Sequence, residues 1–278
     1  MYNNRMKNYL FTFVLLLVAF SVKSESHRLV SLGSPVTEVI LALGASDQLV
    51  GIDDSSQVPD ELSYLPKVGY YRMVSAEGVL SVQPSLILST EDAGPPPALK
   101  KIQAASIPLL RVTSEKTLSG AIERIQEISK ILDREEQAAD LIKPLQDRLE
   151  NPFKVLHPEV KVLFIYARGS GAPMVSGEGT GADEMIRLVG AQNAVIGFKR
   201  YRPLTPEALI SAAPSIILVT THGLAAIGGE DGLWALPGMN LTPAGKTRRF
   251  VSMDDSTLLG FGPHTATALE TLRKKLTL

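Results

Sequence analysis

The segment Gly69-Tyr70-Tyr71-Arg72 is where this sequence concentrates its chemistry. A phenol and a guanidinium stand two residues apart, so on extended backbone Tyr70 and Arg72 share a face. Adjacent residues point to opposite faces, so Tyr70 and Tyr71 cannot both enter one core. One of them faces solvent or a cleft. A fixed positive charge favours the ionised form of a nearby phenol. The resulting phenolate is a hard anionic oxygen that suits ferric iron, and tyrosine is one of the side chains that can hold haem iron. A surface aromatic pair packed on its own lobe accounts for the same four residues, and their spacing does not choose between the two readings.

Other constellations point nowhere as definite. Gly245-Lys246-Thr247 ends like a phosphate-binding loop, but Asn240 stands where the opening glycine belongs. Gly177-Glu178-Gly179-Thr180-Gly181 lacks dinucleotide-loop spacing and reads as a turn before a helix. No G-x-S-x-G elbow is present, which counts against an exported α/β hydrolase. His27, His157, His222 and His264 are never three or four residues apart, so no helical metal pair exists, and each reads as structural. The acidic pairs Asp53-Asp54, Glu91-Asp92 and Asp254-Asp255 all follow predicted strands. They lie where an open α/β sheet meets its ligand crevice, but helix capping accounts for most of them. The absence of cysteine excludes thiolate chemistry, disulfides and a lipid-anchored cysteine. With 28 basic against 29 acidic residues, nucleic acid is not the expected partner.

The elements around these residues follow an α/β rhythm. Strands are predicted at 28–32, 48–52, 86–89 and 108–112, with helices from Ser34 to Leu43, 75–80 and 97–104 between them. This alternation implies a mainly parallel sheet with helices on both faces. From Leu118 to Leu149 the pattern is almost continuously helical, broken at Asp133-Arg134-Glu135-Glu136. Its second half, expected to be kinked or limited by Pro144, reads as a long helix joining two lobes. The alternation then resumes, with strands at 160–166, 194–197, 215–220 and 249–253 and helices at 181–189, 205–212 and 265–276. Ser75-Ala76-Glu77…Pro84-Ser85 and Thr205-Pro206-Glu207…Pro214-Ser215 echo one another as helix, Pro-Ser turn and apolar strand. The expected layout is a signal peptide at 1–24, an N-terminal lobe at 25–133, a bridging helix at 134–157 and a C-terminal lobe at 158–278. Arg5 and Lys7 before an apolar run, with small residues at Ser21 and Ser24, give the leader its secretory pattern.

With these segments in view, the chain resembles the periplasmic haem-binding proteins of bacterial ABC importers. The resemblance runs from Arg28-Leu29-Val30-Ser31-Leu32-Gly33 to the end and is most specific from Pro66 to Ser81. Ser89 to Pro96, Gly169-Ser170-Gly171-Ala172-Pro173-Met174 and Leu258-Leu259-Gly260-Phe261-Gly262-Pro263 carry it further. It implies a class III periplasmic binding protein fold, two α/β lobes joined by a single long helix, and no enzymatic activity. It makes ferric protoporphyrin IX the transported ligand, with Tyr70 as iron ligand, Arg72 hydrogen-bonding the phenolate and Tyr71 pointing away from the iron. The same resemblance counts Tyr71, Arg168 and Met174 among the residues at the ligand, with Arg168 contacting a propionate or simply lining the cleft. Some members add a histidine just before the glycine-rich turn, where this chain reads Tyr166-Ala167-Arg168-Gly169, so five-coordinate iron is expected. His264 stands where arginine is more usual. Glu77 and Glu207 match the glutamates that dock such proteins onto the inner-membrane permease and its ATPase. The expected product is a monomeric, soluble protein of the periplasm, with a ferric siderophore or a corrinoid as the alternative ligand.

Overall fold

The computed structural model describes residues 27–169 and 171–277; the leader expected at 1–24 lies outside the described residues. The first lobe runs β1 (Leu29–Leu32), α1 (Ser34–Ala42), β2 (Leu49–Ile52), α2 (Ala76–Ser81), β3 (Leu86–Thr90), α3 (Pro96–Ala104) and β4 (Leu109–Val112). Its four strands are all parallel, in the order β2-β1-β3-β4. Such strands are buried on both faces, so their sequences read as unbroken apolar runs. The period of two then sorts them. Leu29, Leu86 and Leu88 face one side with α1, while Val30, Leu32 and Ile87 face the other with Val79 of α2 and Leu99 and Ile102 of α3.

Two helices follow, α4 (Leu118–Ile131) and α5 (Glu135–Glu150). In α5, Ala138, Ile142 and Leu145 form a narrow buried stripe on an otherwise charged helix. Pro144 sits inside it at an exposed position, and the helix runs past it to Glu150. The proline removes the hydrogen bond to the Asp140 carbonyl, and on an exposed face water can take its place.

The second lobe comprises β5 (Lys161–Tyr166), β6 (Met174–Ser176), α6 (Gly181–Leu188), β7 (Gln192–Asn193), β8 (Tyr201–Pro203), α7 (Pro206–Ala212), β9 (Ile216–Thr220), α8 (Thr221–Ala226), α9 (Gly229–Trp234), α10 (Pro243–Thr247), β10 (Phe250–Met253), α11 (Asp255–Leu259) and α12 (Thr265–Thr277). The path is β10-β9-β5-β6-β8, with β7 against β5. β10, β9, β5 and β7 are parallel, whereas β6 and β8 add antiparallel pairs at one edge. Val162, Phe164, Ile216 and Leu218 join the same cluster as the inner faces of the first lobe, α4, α5 and α12, so one core runs through both lobes.

The strand expected at 194–197 does not form. The Ala194 amide still donates to Val162 O across 2.8 Å, but Asn193 Oδ1 then takes the Val195 amide, and Gly197, at φ +85°, turns the chain away. The echo in the sequence is a real repeat. Ser75 and Thr205 cap α2 and α7 by accepting from the Gly78 and Ala208 amides. Ser85 Oγ accepts from the Arg28 amide across 2.8 Å, and Ser215 Oγ accepts from the Lys161 amide across 3.0 Å. Each serine thus pins the entry to its lobe's first strand.

Arg124 of α4 fixes one lobe against the other. Fully buried, it donates to Thr113 O (3.1 Å), Glu115 O (3.0 Å) and, in the second lobe, Phe261 O (3.0 Å). Among the described residues no helix is long and apolar enough to cross a membrane.

Candidate ligand cleft

A cleft of about 920 Å³ opens between the lobes, walled by Tyr70, Tyr71, Arg72, Asp92 and Lys116 on one side and Tyr166, Arg168, Tyr201, His222 and Asp255 on the other. The loop carrying Tyr70 is held by backbone bonds. Gly69 has φ +100°, a conformation glycine adopts without steric cost, and its carbonyl accepts from the Asp54 amide across 3.1 Å. Tyr70 is extended, but residues 71–73 close into a 3-10 turn, with the Met73 amide donating to Tyr70 O across 2.7 Å. The expected strand-like alternation is therefore absent. Gly94 N donates to Tyr71 O and Val74 N to Gly94 O, which ties this turn to the loop after β3 and carries Asp92 to Arg72.

Tyr70 and Arg72 meet despite the turn. Arg72 Nη1 donates to Tyr70 Oη across 3.2 Å, while Nη2 pairs with Asp92 Oδ2. Burial opposes ionisation of Asp92, but the Thr90 hydroxyl and the Arg72 guanidinium together outweigh it and hold the carboxyl below its ordinary range. Tyr71 does not point away, as expected from the resemblance. It lines the cleft, its ring 4.9 Å from that of Tyr70 at 70°, with its hydroxyl 3.5 Å from Asp92. It stays in the cleft because the 3-10 turn replaces the alternation that would have sent it outward. Burial first, and the Asp92 charge second, push its phenol far above the ordinary range, so Tyr71 remains a neutral phenol.

From the second lobe, the Arg168 guanidinium stands 5.2 Å from the Tyr70 ring centre. Tyr166 and Tyr201 pack at 5.3 Å between centroids, and burial pushes Tyr201 up to about 12. Lys116 enters the cleft with its stem against Gly181 of α6; burial, then the nearby Arg72, lower its pKa. Met174 is not among the lining residues: it is half-buried on β6, paired with Tyr166 and Pro203. His264 is exposed at the start of α12, outside the cleft.

The acidic pairs separate by role. Asp53 is buried and satisfied by Gly33, Ser55 and Ser56; Asp254 caps α11; Asp255 bonds His222. Among the described residues no cluster of three or more His, Asp or Glu side chains could hold a bare metal ion.

Residues 29–257 match the periplasmic binding protein family. The chain belongs to that family. It is thus a substrate-binding protein of transport, not an enzyme. Similar solved structures include the periplasmic heme-binding protein RhuT from Roseiflexus sp. RS-1, 37% identical with a TM-score of 0.83, covering 90% of this chain and 98% of that one. The periplasmic heme-binding protein HutB of Vibrio cholerae is 34% identical with a TM-score of 0.81, covering 90% of this chain and 98% of its own. Among curated sequences, the vitamin B12-binding protein of Vibrio campbellii is 24% identical over 76% of this chain and 75% of its own.

In this binding protein Glu77 and Glu207 are both exposed in the first turns of the repeated helices α2 and α7. Sequence reasoning placed Asp92 at the crevice without its Arg72 partner, and missed the cleft roles of Lys116, Tyr166, Tyr201 and His222. Only the order of strand ends could have hinted at them, since long-range proximity leaves no local pattern.

Proposed function

We propose that this binding protein captures ferric haem in the inter-lobe cleft and delivers it to an inner-membrane ABC permease and its ATPase. The observation that carries this reading is the Tyr70–Arg72–Asp92 chain at the cleft wall. Tyr70 is the iron ligand, Arg72 neutralises the phenolate, and Asp92 holds Arg72 in place. One phenolate holds a bare metal ion poorly, whereas haem brings four nitrogen ligands of its own and needs only an axial one. Tyr71 and Tyr166 offer aromatic surface to the macrocycle, and Arg168 and Lys116 offer cations to its propionates. The heme-binding relatives at 34% and 37% identity support the same ligand.

The protein acts in the periplasm, exported by the leader at 1–24, as a monomer. Its lobes span 25–133 and 158–278, linked by 134–157. Glu77 and Glu207 dock it on the permease, one glutamate per lobe, and rim charges of this kind steer association. An absorbance titration with ferric haem tests the reading. A tyrosinate-type spectrum in the native protein, lost in Tyr70→Ala, supports it; an unchanged spectrum in the variant removes Tyr70 from the iron.

The vitamin B12-binding relatives keep a corrinoid as the second reading. Binding of cyanocobalamin in preference to haem would decide for it.

A further inference from the structure

Asp53 directly follows β2 and is fully buried, yet it stands behind the cleft wall rather than in it. Among the described residues it forms no ion pair. A buried charge without a cation needs hydrogen-bond donors, and four converge on this one. Oδ1 accepts from the Gly33 amide across 3.0 Å and from the Ser56 hydroxyl. Oδ2 accepts from the Ser55 amide across 3.0 Å and from the Ser55 hydroxyl. The single hydroxyl proton of Ser56 is thereby spent, so Ser56 Oγ accepts from Thr37 Oγ1 of α1 across 2.6 Å. Thr37 in turn accepts from Ser31 Oγ of β1 across 2.7 Å. Three hydroxyls thus point in one direction, toward Asp53, and join β1, α1 and residues 53–56 into one buried network.

Residues 53–56 are also the seat of the Tyr70 segment. The Ile52 amide donates to Pro66 O across 3.0 Å, and the Val68 amide donates to Ile52 O across 2.9 Å. Lys67 Nζ donates to Ser56 O and, across 3.3 Å, to Asp53 O. The Asp54 amide then holds Gly69 O across 3.1 Å, one residue before Tyr70. Gly69 itself adds no stiffness, because glycine turns freely at φ +100°. On this side the path of the chain into Tyr70 is therefore set by residues 52–56, and those are set by Asp53.

We propose that Asp53 and Lys67 are positioning residues for the iron ligand: they fix residues 53–56 and, through the Asp54 amide, the place of the Tyr70 phenol. This rests on the haem reading above. Neither side chain lines the cleft. Their effect is to order the loop before haem arrives, so that binding does not bear the entropy of ordering it.

The test uses the exported protein titrated with ferric haem, read by the tyrosinate absorbance band, the iron–phenolate stretch in resonance Raman spectra and thermal melts. Lys67 is exposed, so Lys67→Met should retain the fold. It is expected to lower haem affinity roughly tenfold and to shift and broaden the tyrosinate signals, as loss of a group that orients a metal ligand does. Lys67→Arg can still donate to both carbonyls and should restore most of the affinity and the native band. Asp53→Asn turns two donors toward the Ser55 or Ser56 donors and should act in the same direction as Lys67→Met. Ser85→Ala removes a hydrogen bond at the Arg28 amide, at the other end of β1 from Gly33, and serves as the structural control. It should lower the melting temperature and leave band and affinity alone. Lys67→Met with native band and affinity overturns the proposal and leaves the haem reading standing, whether or not Asp53→Asn folds. Reduced melting temperatures alone in both variants, the pattern of Ser85→Ala, overturn it too. No tyrosinate spectrum in the native protein overturns both readings.

Discussion

Arg72 reaches Tyr70 with one terminal nitrogen, across 3.2 Å, and commits the other to Asp92. The planar guanidinium allows this division, since its donors diverge in a fixed fork. A lysine ammonium is a point charge that cannot span both partners. The pair with Asp92 is half exposed, so its own contribution to stability is small, about 0–1 kcal/mol, and its value is in orientation.

Removing the fork should therefore weaken binding without unfolding the protein. Arg72→Ala is expected to lower haem affinity by about tenfold, the effect of losing one charge-assisted hydrogen bond of about 1.5 kcal/mol. Arg72→Lys should recover only part of this. Titrations of the two variants and the native protein, with thermal melts alongside, separate the binding effect from stability.

The two adjacent tyrosines should give different answers. Tyr70→Phe removes the proposed iron ligand and is expected to abolish the tyrosinate band. Tyr71 is a half-buried, neutral phenol whose hydroxyl is 3.5 Å from Asp92, so Tyr71→Phe removes at most a weak hydrogen bond. Its band should persist, with affinity within a fewfold of native. If Tyr71→Phe loses the band and Tyr70→Phe keeps it, the assignment is reversed.

Docking should separate from capture. Glu77 and Glu207 are exposed on equivalent capped helices, and neither lines the cleft. Charge reversal at both, Glu77→Lys with Glu207→Lys, is expected to leave the haem titration unchanged. Haem uptake by reconstituted transporter should fall several-fold, mostly through slower association and with its dependence on ionic strength reduced.

How much of this was legible beforehand varies with the range of the interaction. The parallel sheets were readable because buried strands write apolar runs, and the repeat was readable because Ser85 and Ser215 serve the same amides in each lobe. The Tyr70–Arg72 contact was readable for a partly mistaken reason. Spacing on a strand suggested it, whereas a 3-10 turn delivers it. Asp92 and His222 read locally as half of an acidic pair and a structural histidine, and Lys116 carries no local signal at all. What brings them to the cleft is strand order and the approach of two lobes, neither of which any short window of sequence records. The strand at 194–197 failed for another long-range reason, since β7 pairs with β5 only at Lys161 and Val162 and β6 takes Ile165 and Tyr166 beyond it.

The carboxyl of Glu38, on α1, lies against Gly260 and Gly262 of the second lobe and accepts from Ser34 Oγ across 3.1 Å. Burial is the main cause that raises its pKa from 4.5 to about 7, with the Asp254 charge adding to it and the Ser34 hydrogen bond and Arg124 opposing it. In the unfolded chain the carboxyl loses its proton at the lower value, while in the folded protein it keeps the proton to the higher one. The folded state therefore binds more protons between the two, and its stability falls as pH rises from about 4.5 to about 7. A tenfold change in proton affinity is worth about 1.4 kcal/mol, so the loss attributable to Glu38 has an upper bound of about 3.5 kcal/mol. Glu38→Gln keeps an acceptor for Ser34 and carries no charge, so it should flatten this slope and be the more stable protein at pH 8. Urea denaturation across that range measures it. Parallel slopes for the native protein and Glu38→Gln would mean that the pH dependence arises elsewhere.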